Sequence, residues 1–146
     1  MKFLEEAHRP WGKYQKFYQE NGVWVKRVEV KPHSRLSLQK HQHRSEKWVF
    51  VAGQGIAIVD DQKISVAPGS VVDIPLGAVH RIGNTGQKTL IFIEVATGSI
   101  LTEKDIVRLQ DDYKRPSQPC LAGPPRRAFG ETGRRARRLR RSRTKT

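Results

Sequence analysis

Between residues 10 and 100 the chain is a succession of short β-branched and aromatic runs, each stopped by a turn signal after a few positions. Val23, Val25, Val28 and Val30 mark one run, and Leu36 and Leu38 alternate with Ser37 and Gln39 in the next. Positions 48–51, 56–59, 64–66, 71–74 and 90–95 supply five more. Asn21-Gly22, Gly53, Gly55, Asp60-Asp61, Pro68-Gly69, Gly77 and positions 84–86 separate them. Such spacing predicts an all-β sandwich or barrel. Thr102, followed by Glu103, Lys104 and Asp105, has the form of a capping box, which predicts one short C-terminal helix over 106–110.

A length of 146 residues suits one domain. The formal charge of +14 would suggest a nucleic-acid binder, but it is unevenly placed: residues 116–146 carry +9 of it, with nine arginines. That segment has four prolines and few large apolar residues, so it cannot bury enough surface to offset its ordering entropy. The reading is a folded body over 1–115 and a disordered Arg-rich tail over 116–146. The tail would meet nucleic acid only non-specifically, through phosphate charge. No apolar run reaches the length of a membrane span. Residues 1–10 lack the apolar core of a signal peptide, and one cysteine, Cys120, excludes an internal disulfide framework. A cytoplasmic protein is expected.

The most informative spacing runs from Gly69 through Pro75, Gly77 and His80 to Asn84. Taken alone, His80 is more simply a satisfied core or surface histidine. The set as a whole is similar to the second motif of the cupin superfamily at every fixed position, which implies a small cupin-type, jelly-roll-like β-barrel. The first cupin motif fits upstream when Gln39 and His41 take the two leading ligand places, followed by Glu46 and Gly53. In that frame His33 stands where the motif has glycine. The resemblance therefore implies a single divalent metal held by Gln39, His41, Glu46 and His80. Gln39, His41 and His43 alternate, so they share one face of a strand. If that face is inward, a metal would satisfy its polar groups; if outward, water would. An imidazole, carboxylate and amide set suits Zn²⁺, Mn²⁺, Fe²⁺ or Ni²⁺ and is not soft enough to demand one of them; zinc is the expected ion.

A closer resemblance covers residues 9–115. Arg9-Pro10-Trp11-Gly12, Tyr14, the stretch from Arg35 through Glu46 to Trp48, Asp105-Ile106-Val107-Arg108, Tyr113 and Arg115 carry it. Together they resemble the C-terminal cupin domain of type II mannose-6-phosphate isomerases, often fused to a mannose-1-phosphate guanylyltransferase. That resemblance implies metal-dependent interconversion of mannose 6-phosphate and fructose 6-phosphate. Type I isomerases, which bind zinc through Gln, two His and Glu, agree with the ligand frame. Relatives have His where this chain has Lys47. No glycine-rich phosphate loop precedes the barrel, so guanylyl transfer is not expected of this chain.

Aldose–ketose isomerisation needs a base and a centre that stabilises an oxyanion. His43 is the expected base, with a fifth metal ligand as its other role. The substrate phosphate needs guanidinium groups, for which Arg35, Arg44, Arg81 and Arg108 are candidates; each has a solvated surface position as its simpler explanation. Arg35 shares the parity of Gln39 and is expected to face inward. The competing function is a non-catalytic, metal-containing cupin that binds a sugar or sugar phosphate, since fold alone does not choose. Homodimerisation is compatible with either.

Overall fold

The computed structural model describes residues 2–116. The tail reading, with its nucleic-acid contact, lies outside the described residues apart from Pro116. The chain forms eleven strands: β1 (Glu5–Arg9), β2 (Gly12–Glu20), β3 (Val23–Val30), β4 (Leu38–Lys40), β5 (Arg44–Ala52), β6 (Gly55–Val59), β7 (Gln62–Val66), β8 (Val71–Ile74), β9 (His80–Asn84), β10 (Leu90–Gly98) and β11 (Val107–Gln110). They make two antiparallel sheets, in the orders β1-β2-β3-β10-β5-β8 and β11-β4-β9-β6-β7. One core draws on both, with Val30, Trp48, Phe50, Leu90 and Phe92 from the first sheet meeting Ala57, Val59 and Ile82 from the second. Six of the seven runs read from the sequence fall on strands, and the seventh, Leu36 to Gln39, does so only from Leu38.

Strict alternation sets what faces the interior. In β3 the even positions, Trp24 to Val30, are buried and the odd ones are not. The same parity governs β5, where Arg44, Glu46, Trp48 and Phe50 turn inward, and β10, where Leu90, Phe92, Glu94 and Ala96 do. Register aligns these rows: Phe92 lies opposite Val28 and Phe50, while Glu94 lies opposite Lys26 and Trp48. The interior thus has an apolar half and a polar half.

The helix expected over 106–110 is a strand. Among the described residues no helix forms, and β11 pairs with β4, Arg108 opposite Gln39. The capping signature is used up in one turn, where the amide of Asp105 donates to the Thr102 carbonyl (3.1 Å) and the amide of Lys104 to its hydroxyl (3.3 Å). Asp105 then turns inward, 1 % exposed, and accepts the backbone N–H groups of Gln42 (2.9 Å) and His43 (3.0 Å). A helix of five residues is too short to stand on propensity, and a ladder with β4 satisfies the same backbone groups.

Two motif positions explain themselves. Gly53 has φ +85°, and a Cβ there would lie 2.7 Å from the Thr89 carbonyl oxygen, so no other residue fits. His33 adopts φ 57°, the left-handed conformation that the motif's glycine would take without strain.

Candidate functional site

Three strands and one bend bring the motif residues together. Gln39 lies opposite His80 across the β4–β9 pair. Glu46 enters from β5, and the two motifs are tied where the Gly77 amide donates to the His41 carbonyl (3.1 Å). Asn84 closes the second motif as an organiser of the following turn: its amide donates to Val30 O (2.9 Å) and Lys88 O (2.8 Å).

His41, Glu46 and His80 offer ligand atoms that all lie within 4.8 Å of one another, and all three side chains are buried. Each imidazole is oriented in the same way. His41 Nδ1 faces the Asp105 carbonyl at 2.6 Å and His80 Nδ1 the Ala78 carbonyl at 2.9 Å. A carbonyl oxygen only accepts, so in the neutral ring Nδ1 carries the proton and Nε2 keeps its lone pair for the site. His80 Nε2 is fully buried and has no hydrogen-bond partner among the described residues. A buried, unpartnered lone pair 4.0 Å from the Glu46 carboxylate is what a cation would satisfy. The trio could hold a metal ion.

The charge states agree with that use. Burial favours neutral Glu46, yet its close contacts with His41 (3.1 Å) and Arg44 (2.9 Å) hold its carboxyl well below the ordinary value. Burial pushes His80 down to about 4, against the pull of Glu46, so it is neutral near pH 7. Glu94 goes the other way: burial, then the charge on Glu46, raises it, with Lys26, Arg44 and the Trp24 indole opposing.

Above the trio lies a cavity of about 230 Å³. Trp11, Tyr14 and Trp48 give it aromatic walls, and Arg9, Arg108 and Arg115 supply guanidinium groups. Burial and then the neighbouring charge of Arg115 lower the pKa of Arg108, with Asp111 opposing and Arg9 adding a smaller push down. Lys26 lines the same cavity, paired with Glu103 and 4.1 Å from the centres of the Tyr14 and Trp24 rings.

The sequence-derived residues divide. Gln39, Glu46, Arg44 and Arg108 line the cavity, and His41 and His80 lie in the buried trio beside it. His43 does neither: β4 ends at Lys40 and the chain bends at Gln42 and His43, which breaks the alternation that was to place it beside His41. Arg35 does not face inward. It is exposed and clasps Asp112 with two hydrogen bonds (2.7 and 2.8 Å), because the regular strand begins only at Leu38. Arg81 is spent on structure, donating to Leu36 O (2.8 Å) and to Gln110 (3.0 and 3.1 Å). Lys47 points outward to Asp73, so its difference from the relatives lies outside the cavity. Lys26 and Glu94 went unread, although a charge at the inward parity of Val28 and Phe92 was the available signal.

Residues 1–111 match the family model described as "Mannose-6-phosphate isomerase C-terminal". The chain belongs to this family. Members similar to it include the alginate biosynthesis protein AlgA of Pseudomonas aeruginosa, 42% identical over 80% of this chain and 24% of that protein. A mannose-1-phosphate guanylyltransferase of Escherichia coli K12 is 44% identical over 75% of this chain and 23% of its own length. The chain thus spans about a quarter of these relatives. In structure it resembles the Staphylococcus aureus capsular polysaccharide assembling protein CapF, with TM-score 0.64 at 24% identity over 73% of this chain and 34% of that one. The cupin domain of Schizosaccharomyces pombe Cnp3 gives TM-score 0.57 at 15% identity over 60% and 64%. The fold is that of a cupin.

These relatives correct the expected activity. The family description carries the word isomerase, but members 42–44% identical are named for guanylyl transfer and for alginate or xanthan biosynthesis. Mannose-6-phosphate isomerisation is therefore withdrawn for this chain. The cavity and a trio that could hold a metal ion are features that many reactions and simple binding share. The histidine cast as the base lies off that cavity.

Proposed function

We propose that this chain is a metal-holding cupin that binds a sugar phosphate in the polar half of its barrel, as a binding module in nucleotide-sugar metabolism. The observation that carries the reading is the buried His80 Nε2, unpartnered and facing Glu46 beside a cavity mouth rich in guanidinium groups. His41, Glu46 and His80 would hold the ion, with the Gln39 amide as the neighbouring fourth donor. Two imidazoles and a carboxylate suit Zn²⁺, and Mn²⁺, Fe²⁺ and Ni²⁺ are compatible. Such an ion supplies a Lewis-acid centre for a sugar oxygen.

The chain's own residues do the rest. Arg9 and Arg108 line the cavity and would give a phosphate planar guanidinium donors, Arg108 while its Nη1 also donates to Pro116 O, whereas Arg115 is held by Asp111. Trp11 and Tyr14 give a sugar ring an apolar wall, while Lys26 and Glu103 can meet hydroxyls. A phosphorylated ligand suits a cytoplasmic setting and the names of the relatives. The test is calorimetric titration of the full chain with mannose 1-phosphate, mannose 6-phosphate and unphosphorylated mannose. The reading expects a sugar phosphate to bind, mannose to bind at least about tenfold more weakly, and Arg108→Ala to remove that difference. Equal binding of mannose and its phosphates, or no binding of any, overturns it.

A further inference from the structure

Arg44 enters the interior from the first position of β5 and meets the metal-holding trio directly. Its Nη2 lies 3.1 Å from His41 Nε2, and its Nε donates to Glu46 Oε1 at 2.9 Å. With the Asp105 carbonyl facing Nδ1, Nε2 is the His41 nitrogen turned to the site, and it is hemmed in by Arg44 Nη2 and Glu46 Oε1, each at 3.1 Å. These are the same atoms, on two of the three side chains, that a divalent ion would need. The guanidinium is no loose visitor: it also donates to Thr102 O (3.1 Å) and lies 4.9 Å from the centre of the Trp24 ring.

We propose that Arg44 is an internal competitor for the metal, a positioning residue whose guanidinium must leave His41 and Glu46 before an ion takes them, and which thereby sets how tightly the ion binds. This rests on the metal-holding reading above. Two physical costs support it. A carboxylate oxygen and a ring nitrogen already in contact with a guanidinium cannot take up an ion until it moves, and a divalent charge placed beside a buried guanidinium meets strong repulsion. Arg44 also has somewhere to go. It lines the cavity with Glu94 and Glu103, whose carboxyl groups are alternative acceptors for the guanidinium. His80 Nε2, which Arg44 does not touch, is the donor left ready for first contact.

The sign of one substitution separates this role from ordinary support. Residues that merely brace a metal site weaken it when removed, by about 10–100-fold. Removing a competitor tightens it. Metal-stripped full-length protein is titrated with Zn²⁺ against a chromophoric chelator, as wild type and as Arg44→Gln. The expected result is a dissociation constant lower by about tenfold or more in Arg44→Gln; an unchanged or higher constant in the folded variant overturns the proposal. A second measurement needs only the wild type. In nitrogen-15 NMR the Arg44 Nε–H signal should shift when Zn²⁺ is added, together with the ring nitrogens of His41 and His80. Histidine shifts with an unmoved Arg44 signal also overturn the proposal, while leaving the metal site intact. Failure of both wild type and Arg44→Gln to take up Zn²⁺ would overturn the metal site itself and Arg44's part in it.

Discussion

The apolar and polar halves of the barrel interior are built by the same strands at the same parity, yet they are held by different forces. In β3, β5 and β10 one end contributes Val28, Val30, Phe50, Leu90 and Phe92, and the other Lys26, Arg44, Glu46 and Glu94. The first half gains from removing apolar area from water and from close packing, seen in Phe92 lying 5.1 Å from both the Trp48 and Phe50 rings. The second half buries charges, which is tolerable only because each is matched: Lys26 by Glu103, Arg44 by Glu46, and Glu94 by the Trp24 indole at 3.0 Å. Stability is concentrated in the first half and chemistry in the second. What the comparison teaches is that one sheet parity can encode both.

The largest effect should come from the apolar half. Phe92→Ala, at a fully buried position, is expected to cost about 3–5 kcal/mol of unfolding free energy in denaturant titrations, with little change in metal uptake. A loss under about 1 kcal/mol would mean that the apolar half is not where the stability lies.

At the border of the polar half, Asp105→Ala should cost about 1.5–3 kcal/mol, because the carboxylate holds two backbone N–H groups of the bend after β4. The same variant should weaken metal binding, since that bend carries the Asp105 carbonyl and His41 into register. Unfolding and chelator competition, measured together, check both effects.

Near the mouth, Asp111 is held at about 2, from an ordinary 3.8, chiefly by hydrogen bonds from Arg115. A carboxyl depressed in the folded state contributes stability that is complete above the unfolded value and lost as pH falls through the folded one. Stability should therefore fall as pH drops from 3.8 towards 2, by about 1 kcal/mol once solvent screening of this rim pair is allowed for, and Asp111→Asn should flatten that part of the profile.

How much of this was legible follows the same division. Alternation in β3, β5, β6 and β10 is written in Val, Ile and Phe, so those strands could be read directly. The spacing of Gln39, His41, Glu46 and His80 was readable because each depends on a local turn and a fixed strand offset. The partners of the arginines were not. Arg35 and Asp112 are 77 residues apart in sequence, and nothing local near Arg35 says that its guanidinium is spent. The strand at 107–110 was hidden for a related reason: its ladder partner, β4, is remote, whereas the helix-capping signature beside it is local. Lys26 and Glu94 were visible as charges inside apolar alternation, and their meaning emerged only when β3 and β10 proved to be neighbours.

The smallest effect concerns the one motif position at which this chain departs from glycine. His33→Gly should stabilise by about 0.5–1 kcal/mol by relieving the left-handed backbone, offset in part by the freedom glycine adds to the unfolded chain. A thermal shift of opposite sign would show that the His33 side chain contributes more than its backbone costs.

The central claim is that the polar half is a metal centre closed by His80. Elemental analysis of the purified full chain, after exposure to Zn²⁺, Mn²⁺, Fe²⁺ or Ni²⁺ and removal of the excess, tests it most directly when run beside folded His80→Ala. The account predicts about one equivalent of a divalent metal in the wild type and none retained in His80→Ala. A wild type that retains no metal, or a variant that retains as much as the wild type, would contradict it.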